Sequence, residues 1–295
     1  MKKALLFGIG ASFFFSFTFV LNRQMNIGGG SWYWSSSLRY LFMLPILFCI
    51  DIKKNPVSWF IWSTVGFGFF YAPLSFASAY GASWLVAGTW QLTIIAGALM
   101  SPFFYTIVDG KKIRSHIPKK FLLVSLVILT GIFLMLSEEA KKISIIDSLF
   151  VVVPVLFAAF SYPLGNRKMM ELCSNRLSTL QRVFGMTLCS IPFWIIIVIF
   201  GFVQTGPPSH NQLIQSFIVA VSSGVIATIM FFKATDMVKG DTHKLAVVES
   251  TQVGELIFTL SGGILVFHDT VPTTLGIVGI ILVAIGMMVN SFIQE

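Results

Sequence analysis

Hydrophobic residues in this chain run in long unbroken stretches, and polar residues gather in short breaks between them. Ala4–Leu21, Phe121–Ser137 and Val271–Phe292 carry no formal charge at all. They lack the in/out alternation with a period of two that marks a membrane strand. Roughly 20 consecutive apolar residues cross a bilayer as an α-helix. Charge and turn breaks predict ten such helices, at about 4–22, 31–50, 57–80, 82–108, 119–137, 147–165, 180–203, 212–235, 245–267 and 271–292. The pattern therefore predicts an all-α, polytopic membrane protein.

Composition agrees. Hydrophobic residues make up 56% of the chain and charged residues 11%, with mean hydropathy +0.85. A soluble domain carries about 25% charged residues. The opening "MKKALLFGIGASFFFSFTFV" has the lysines of a secretory signal, but its apolar stretch ends in Asn22-Arg23 rather than in small residues. It reads as a retained first span. Cys49, Cys173 and Cys189 give neither a disulfide framework nor a metal spacing, so no metal and no cofactor is expected.

The net charge of +8 is uneven along the chain. One set of helix ends holds Lys2, Lys3, Lys53, Lys54, Lys111, Lys112, Arg114, Lys119, Lys120, Arg167, Lys168, Arg176, Lys239 and Lys244. The other set holds Arg23, Lys141 and Lys142, with Glu138 and Glu139 beside the lysines. Cytoplasmic loops carry the excess of Lys and Arg, so both termini are expected in the cytoplasm. The basic charge is then topological, and nucleic acid is not expected as a partner.

A repeat underlies the ten segments. "LNRQM" (21–25) and "GNRKM" (165–169) each close an apolar run, half a chain apart. Arg39-x-x-x-Met43 matches Arg182-x-x-x-Met186, Thr89-Trp-Gln91 matches Ser250-Thr-Gln252, and the segment before Gly131 matches the segment before Gly286. Four matches in one order predict two five-helix repeats, 1–140 and 141–295. Five is odd, so the halves would be inverted in the membrane. Inverted repeats are a frequent design of secondary transporters, with the substrate site near the midplane between the halves.

This arrangement resembles the drug/metabolite transporter superfamily. So does the ending "HDTVPTTLGIVGIILVAIGMMV" (268–289), with Asp269, Pro272, Gly276 or Gly279, and Gly286 in the superfamily's order. "ESTQVGELIFTLSGG" (249–263) is most similar to its multidrug resistance efflux branch. The resemblance implies a ten-helix transporter of small molecules. Its substrates span drugs, amino acids, sugars and phosphorylated metabolites. Many members have Pro in the middle of helices four and nine, where this chain has Gln91 and Gln252.

Glu255 is the most informative residue for chemistry, because it is predicted near the midplane. A charge there costs about 3 kcal/mol on insertion scales, and intramembrane acids are functional by default. Such a carboxyl can couple proton flow to substrate movement. The bland alternative is a structural Glu bonded to Gln252. Glu249, Gln252 and Glu255 step by three and form one polar stripe, with Glu249 expected at the inner mouth. Trp90 and Gln91 are its counterparts in the first half, and a Trp face opposite carboxyls suits an organic cation. Arg39 and Arg182 lie inside spans and either bind an anionic group or serve as structural anchors. Trp32, Trp34, Trp59 and Trp62 fall at span ends and read as an interfacial belt.

These readings favour a secondary active transporter, a multidrug-type antiporter that couples efflux of cationic or amphipathic molecules to protons. The alternative is a transporter of a polar metabolite such as an amino acid or a phosphorylated compound. An intramembrane enzyme lacks support, since no Gly-x-Ser-x-Gly, His-Glu-x-x-His or P-loop is present. A non-transporting scaffold does not account for Glu255. The expected partners are a small-molecule substrate, protons and the lipid bilayer of a bacterial plasma membrane, with homodimer formation left open.

Overall fold

The structure, a computed structural model, describes residues 1–44, 56–108, 111–114, 119–139, 144–173, 177–238, 247–248, 250–269 and 271–293. Its helices, followed through their internal turns, are α1 (Lys2–Ile27), α2 (Trp32–Met43), α3 (Pro56–Tyr80), α4 (Ser83–Leu99), α5 (Lys119–Glu139), α6 (Ile145–Cys173), α7 (Thr179–Thr205), α8 (His210–Thr235), α9 (Ser250–Val266) and α10 (Thr274–Ile293). Helices α1, α3, α6, α7 and α8 are each long and apolar enough to cross a bilayer, and α4, α5, α9 and α10 are shorter apolar helices. The protein is a helical, multi-pass membrane protein. Lys53, Lys54, Lys141, Lys142, Arg176, Lys239 and Lys244 lie outside the described residues.

Local chemistry sets the helix ends. Ser31 and Ser209 cap α2 and α8 by accepting from the backbone N–H of Tyr33 and Gln212. Ser178 and Gln181 form a reciprocal capping box at the start of α7. Gly206, at φ +72°, ends α7 in a conformation that only glycine adopts readily.

The predicted span 82–108 ends early, at Leu99. A short turn, Ser101–Phe103, leads into an antiparallel hairpin of Tyr105–Val108 and Lys111–Arg114. Pro102 has no N–H to extend the helix and disfavours helical backbone before it. Thr106, Ile107 and Val108 then suit an extended strand.

Lipid offers no hydrophobic drive between helices, so close approach of small residues holds them together. Helices α5 and α10 meet at Gly131 and Gly279, where a Cβ on either would lie 2.6 Å from the other's carbonyl oxygen. Gly165 of α6 lies so close to Gly66 of α3 that a Cβ would overlap the opposing backbone.

The tryptophans correct the belt reading. Trp34 and Trp59 are buried inside the protein rather than turned outward. The Trp34 indole Nε1–H donates to the Gly206 carbonyl at 2.9 Å, and Gly185 leaves room for the Trp59 ring. An indole goes inside when its N–H finds an acceptor and a glycine makes space.

Candidate functional site

A cavity of about 600 Å³ lies among the helices. Its lining includes Thr18, Arg39, Leu74 and Glu255 and reaches the end of the molecule that holds the start of α9 and the end of α10, at Ser250 and Asn290. The start of α1 is at that same end, where Ala4 packs with Val248.

Four helices lose regularity beside the cavity. A π-turn at Thr64–Gly68 in α3 carries the lining residue Phe67. A second, Ala220–Ala227 in α8, carries Ser223 and Gly224. Helix α4 breaks at Gln91, between Ser83–Trp90 and Leu92–Leu99. Helix α9 opens with a tight turn at Ser250–Gln252, and its regular part begins at Val253. Interrupted helices at a midplane cavity are a recurrent feature of transporter sites. The two glutamines paired in the sequence thus both lie where helical bonding changes.

One wall is aromatic. Phe70, Trp90 and Tyr162 have ring centroids 4.8 to 5.6 Å apart. Gln91, next to Trp90 in the lining, is buried and donates to the Ala87 carbonyl at 3.1 Å.

A polar chain across four helices reaches the lining at Thr18, Arg39 and Ser223. Thr18 donates to Ser223 Oγ at 2.5 Å, and Arg39 Nη2 donates to the same oxygen at 2.9 Å. The Arg39 guanidinium lies 4.1 Å from the centroid of Tyr71. The Tyr71 hydroxyl accepts from Asn22 Nδ2 at 3.1 Å, and Asn22 also donates to Ser75 at 3.3 Å.

Glu255 sits in the first turn of the regular part of α9, facing the cavity and 6% exposed. Arg39 and Tyr162 line the same cavity. Among the described residues it is the one acidic side chain of the lining, which also holds Arg39 and Arg167.

The far end of the molecule is closed by hydrogen bonds between helix ends. Asp269 Oδ2 accepts from the backbone N–H and the hydroxyl of Ser83 at 2.9 and 2.6 Å. Glu138 accepts from the backbone N–H and the hydroxyl of Thr273 at 2.6 and 2.8 Å. Each carboxylate of one helix thereby satisfies donors at the start of another. Gln212 donates to the Ser31 carbonyl at 2.6 Å, and Arg23 to the Ala79 carbonyl at 2.9 Å.

The family model described as "EmrE: Putative multidrug resistance efflux transporter" matches residues 2–295. The chain belongs to this multidrug resistance efflux transporter family, within the drug/metabolite transporter superfamily. A relative from Bacillus subtilis (strain 168), "Uncharacterized protein YjlA", is 49% identical over 99% of this chain and 95% of its own length. A second, from Shouchella clausii, "Uncharacterized 42.1 kDa protein in intracellular alkaline protease 3'region", is 50% identical over 86% of this chain and 70% of its own. A solved structure known as "Crystal structure of protein" has the same fold, with a TM-score of 0.65 at 12% identity over 98% of this chain and 96% of that one.

In this transporter the residues singled out from sequence separate into groups. Glu255, Gln252, Gln91, Trp90 and Arg39 come together in the cavity. Arg182, half-buried in α7, is outside the lining. Glu249 lies outside the described residues. The two Asn-Arg pairs lie at opposite ends. Asn22 and Arg23 tie α1 to α3 toward the closed end, whereas Asn166 and Arg167 line the cavity. Sequence reasoning missed Ser223, whose signal was the Ser222-Ser223-Gly224 run inside an apolar helix, and it missed the buried acceptors Asp269 and Glu138 as cross-helix caps.

Proposed function

We propose that this family member is a proton-coupled exporter of amphipathic small molecules and not an enzyme. The observation that carries the reading is Glu255. It is a buried carboxyl, it faces the cavity, and it lies in the same cavity as an aromatic wall suited to flat apolar bodies. Proton and substrate exchange at this carboxyl: protonation from the far side expels the substrate, and deprotonation toward the cytoplasm readmits it. The test is transport by purified protein in liposomes against a panel of lipophilic amines, with and without a proton gradient. The reading expects gradient-driven movement of several amines. Movement that is indifferent to the gradient would remove proton coupling.

The halves 1–140 and 141–295 are inverted repeats, both termini are cytoplasmic, and the protein resides in the bacterial plasma membrane. The charge bias of the loops supports this orientation, and so does the bacterial source of the relatives. The cavity then opens to the cytoplasm while the Asp269 and Glu138 contacts close the outside. Single cysteines placed at residue 115 and at either terminus are expected to react from the cytoplasm, and those at 140 and 208 from outside. Labelling of 115 and 140 from one side in intact cells would contradict inversion.

A further inference from the structure

The lining carries charges of both signs. Arg39 and Arg167 both face the cavity, against the single carboxyl of Glu255 among the described residues. Arginine stays protonated at any relevant pH. A ligand carrying only an amine therefore meets the positive charge of Arg39 as well as the carboxyl of Glu255.

Arg39 is also incompletely used by the protein. It is 7% exposed, and its Nη2 is held by Ser223. Its Nε–H, which is buried, has no protein partner. Gln252 Nε2 and Asn290 Oδ1, on two other lining residues, are likewise buried without partners. A buried donor left unmet is costly, so these groups are places where a ligand gains hydrogen bonds that the protein does not make. Two of the three are donors, and one of those belongs to a guanidinium whose planar fork matches a carboxylate.

We infer that the cavity is bipolar and takes a zwitterionic amphipath: its anionic group binds at Arg39 with help from Gln252, its ammonium group meets Glu255, and its flat body lies on Phe70, Trp90 and Tyr162. This rests on the exporter reading and specifies its substrate class. The ammonium end competes with the proton at Glu255, while the anionic end stays on a residue that does not titrate. The groups around Glu255 in this scheme are Arg39 and Tyr40 from α2, Tyr162 and Arg167 from α6, and Trp90 and Gln91 from α4.

The test uses the full chain in detergent with three probes that share one ring: benzylamine, phenylacetate and 4-(aminomethyl)phenylacetate. Binding is read by competition against one labelled lipophilic amine. The zwitterion is expected to bind at least about tenfold more tightly than either single-charge probe, the size of one charge-assisted contact. Arg39→Gln is expected to bring the ratio of zwitterion to benzylamine affinity down to about one, and Arg39→Lys, which keeps the charge, to restore part of the preference. A purely structural Arg39 would weaken both together. Equal binding of benzylamine and the zwitterion to the unmodified protein overturns the inference by itself, whether or not Arg39→Gln folds. Proton-driven transport of benzylamine with no preference for the zwitterion sinks this inference alone. No proton-driven transport of any probe sinks the exporter reading beneath it.

Discussion

Replacing Glu255 by Gln is expected to reduce proton-driven transport to the level of protein-free liposomes. Gln keeps the size and much of the hydrogen bonding of the side chain but does not titrate. The replacement removes no packing, so thermal unfolding in detergent is expected to shift by no more than a few degrees. Glu255 is the acidic residue of the described lining, and it lies where the irregular start of α9 gives way to regular helix. Glu255→Asp keeps a titratable carboxyl but draws it back by one methylene, and is expected to retain part of the transport at a displaced pH optimum. Transport by Glu255→Gln with unchanged dependence on the proton gradient would make the carboxyl a structural group.

The second large effect concerns the fold. Gly131→Leu or Gly279→Leu is expected to abolish recovery of folded, monodisperse protein. At each position the first added carbon already meets a backbone oxygen at 2.6 Å. Overpacking costs about 1–3 kcal/mol where side chains can yield. Backbone cannot yield without separating α5 from α10, so the cost here is at the upper end or above. Gly262→Ala is the control, because its added Cβ would find only Val20 at 3.8 Å. Size-exclusion profiles of the three variants from intact membranes check this. A normal profile for Gly131→Leu would show that the two helices are not in backbone contact.

The apolar segments were legible because each helix must satisfy its own backbone in lipid, whatever surrounds it. The pairing of Gln91 with Gln252 was legible for a related reason, since a polar side chain inside an apolar run is conspicuous. Azimuth was not legible. A helix apolar all round gives little sign of which face meets its neighbours, so Trp34 and Trp59 were read toward the interface when they point inward. The chain Thr18–Ser223–Arg39–Tyr71–Asn22 was hidden for the same reason. Its members are far apart in sequence, and short hydroxyl side chains in a membrane helix are often satisfied by their own backbone, as Ser78 is by the Leu74 carbonyl. The early end of α4 was marked by Pro102, but the apolar residues that follow it concealed the boundary.

Function rests on whether proton and substrate compete for one carboxyl. Purified protein in weakly buffered detergent solution, titrated with a lipophilic amine that it transports, reports this directly through a pH indicator. The account predicts release of protons on binding, at most one per protein molecule, and no release from Glu255→Gln under the same conditions. Binding of the amine without proton release from the unmodified protein, at every pH at which it binds, would contradict it.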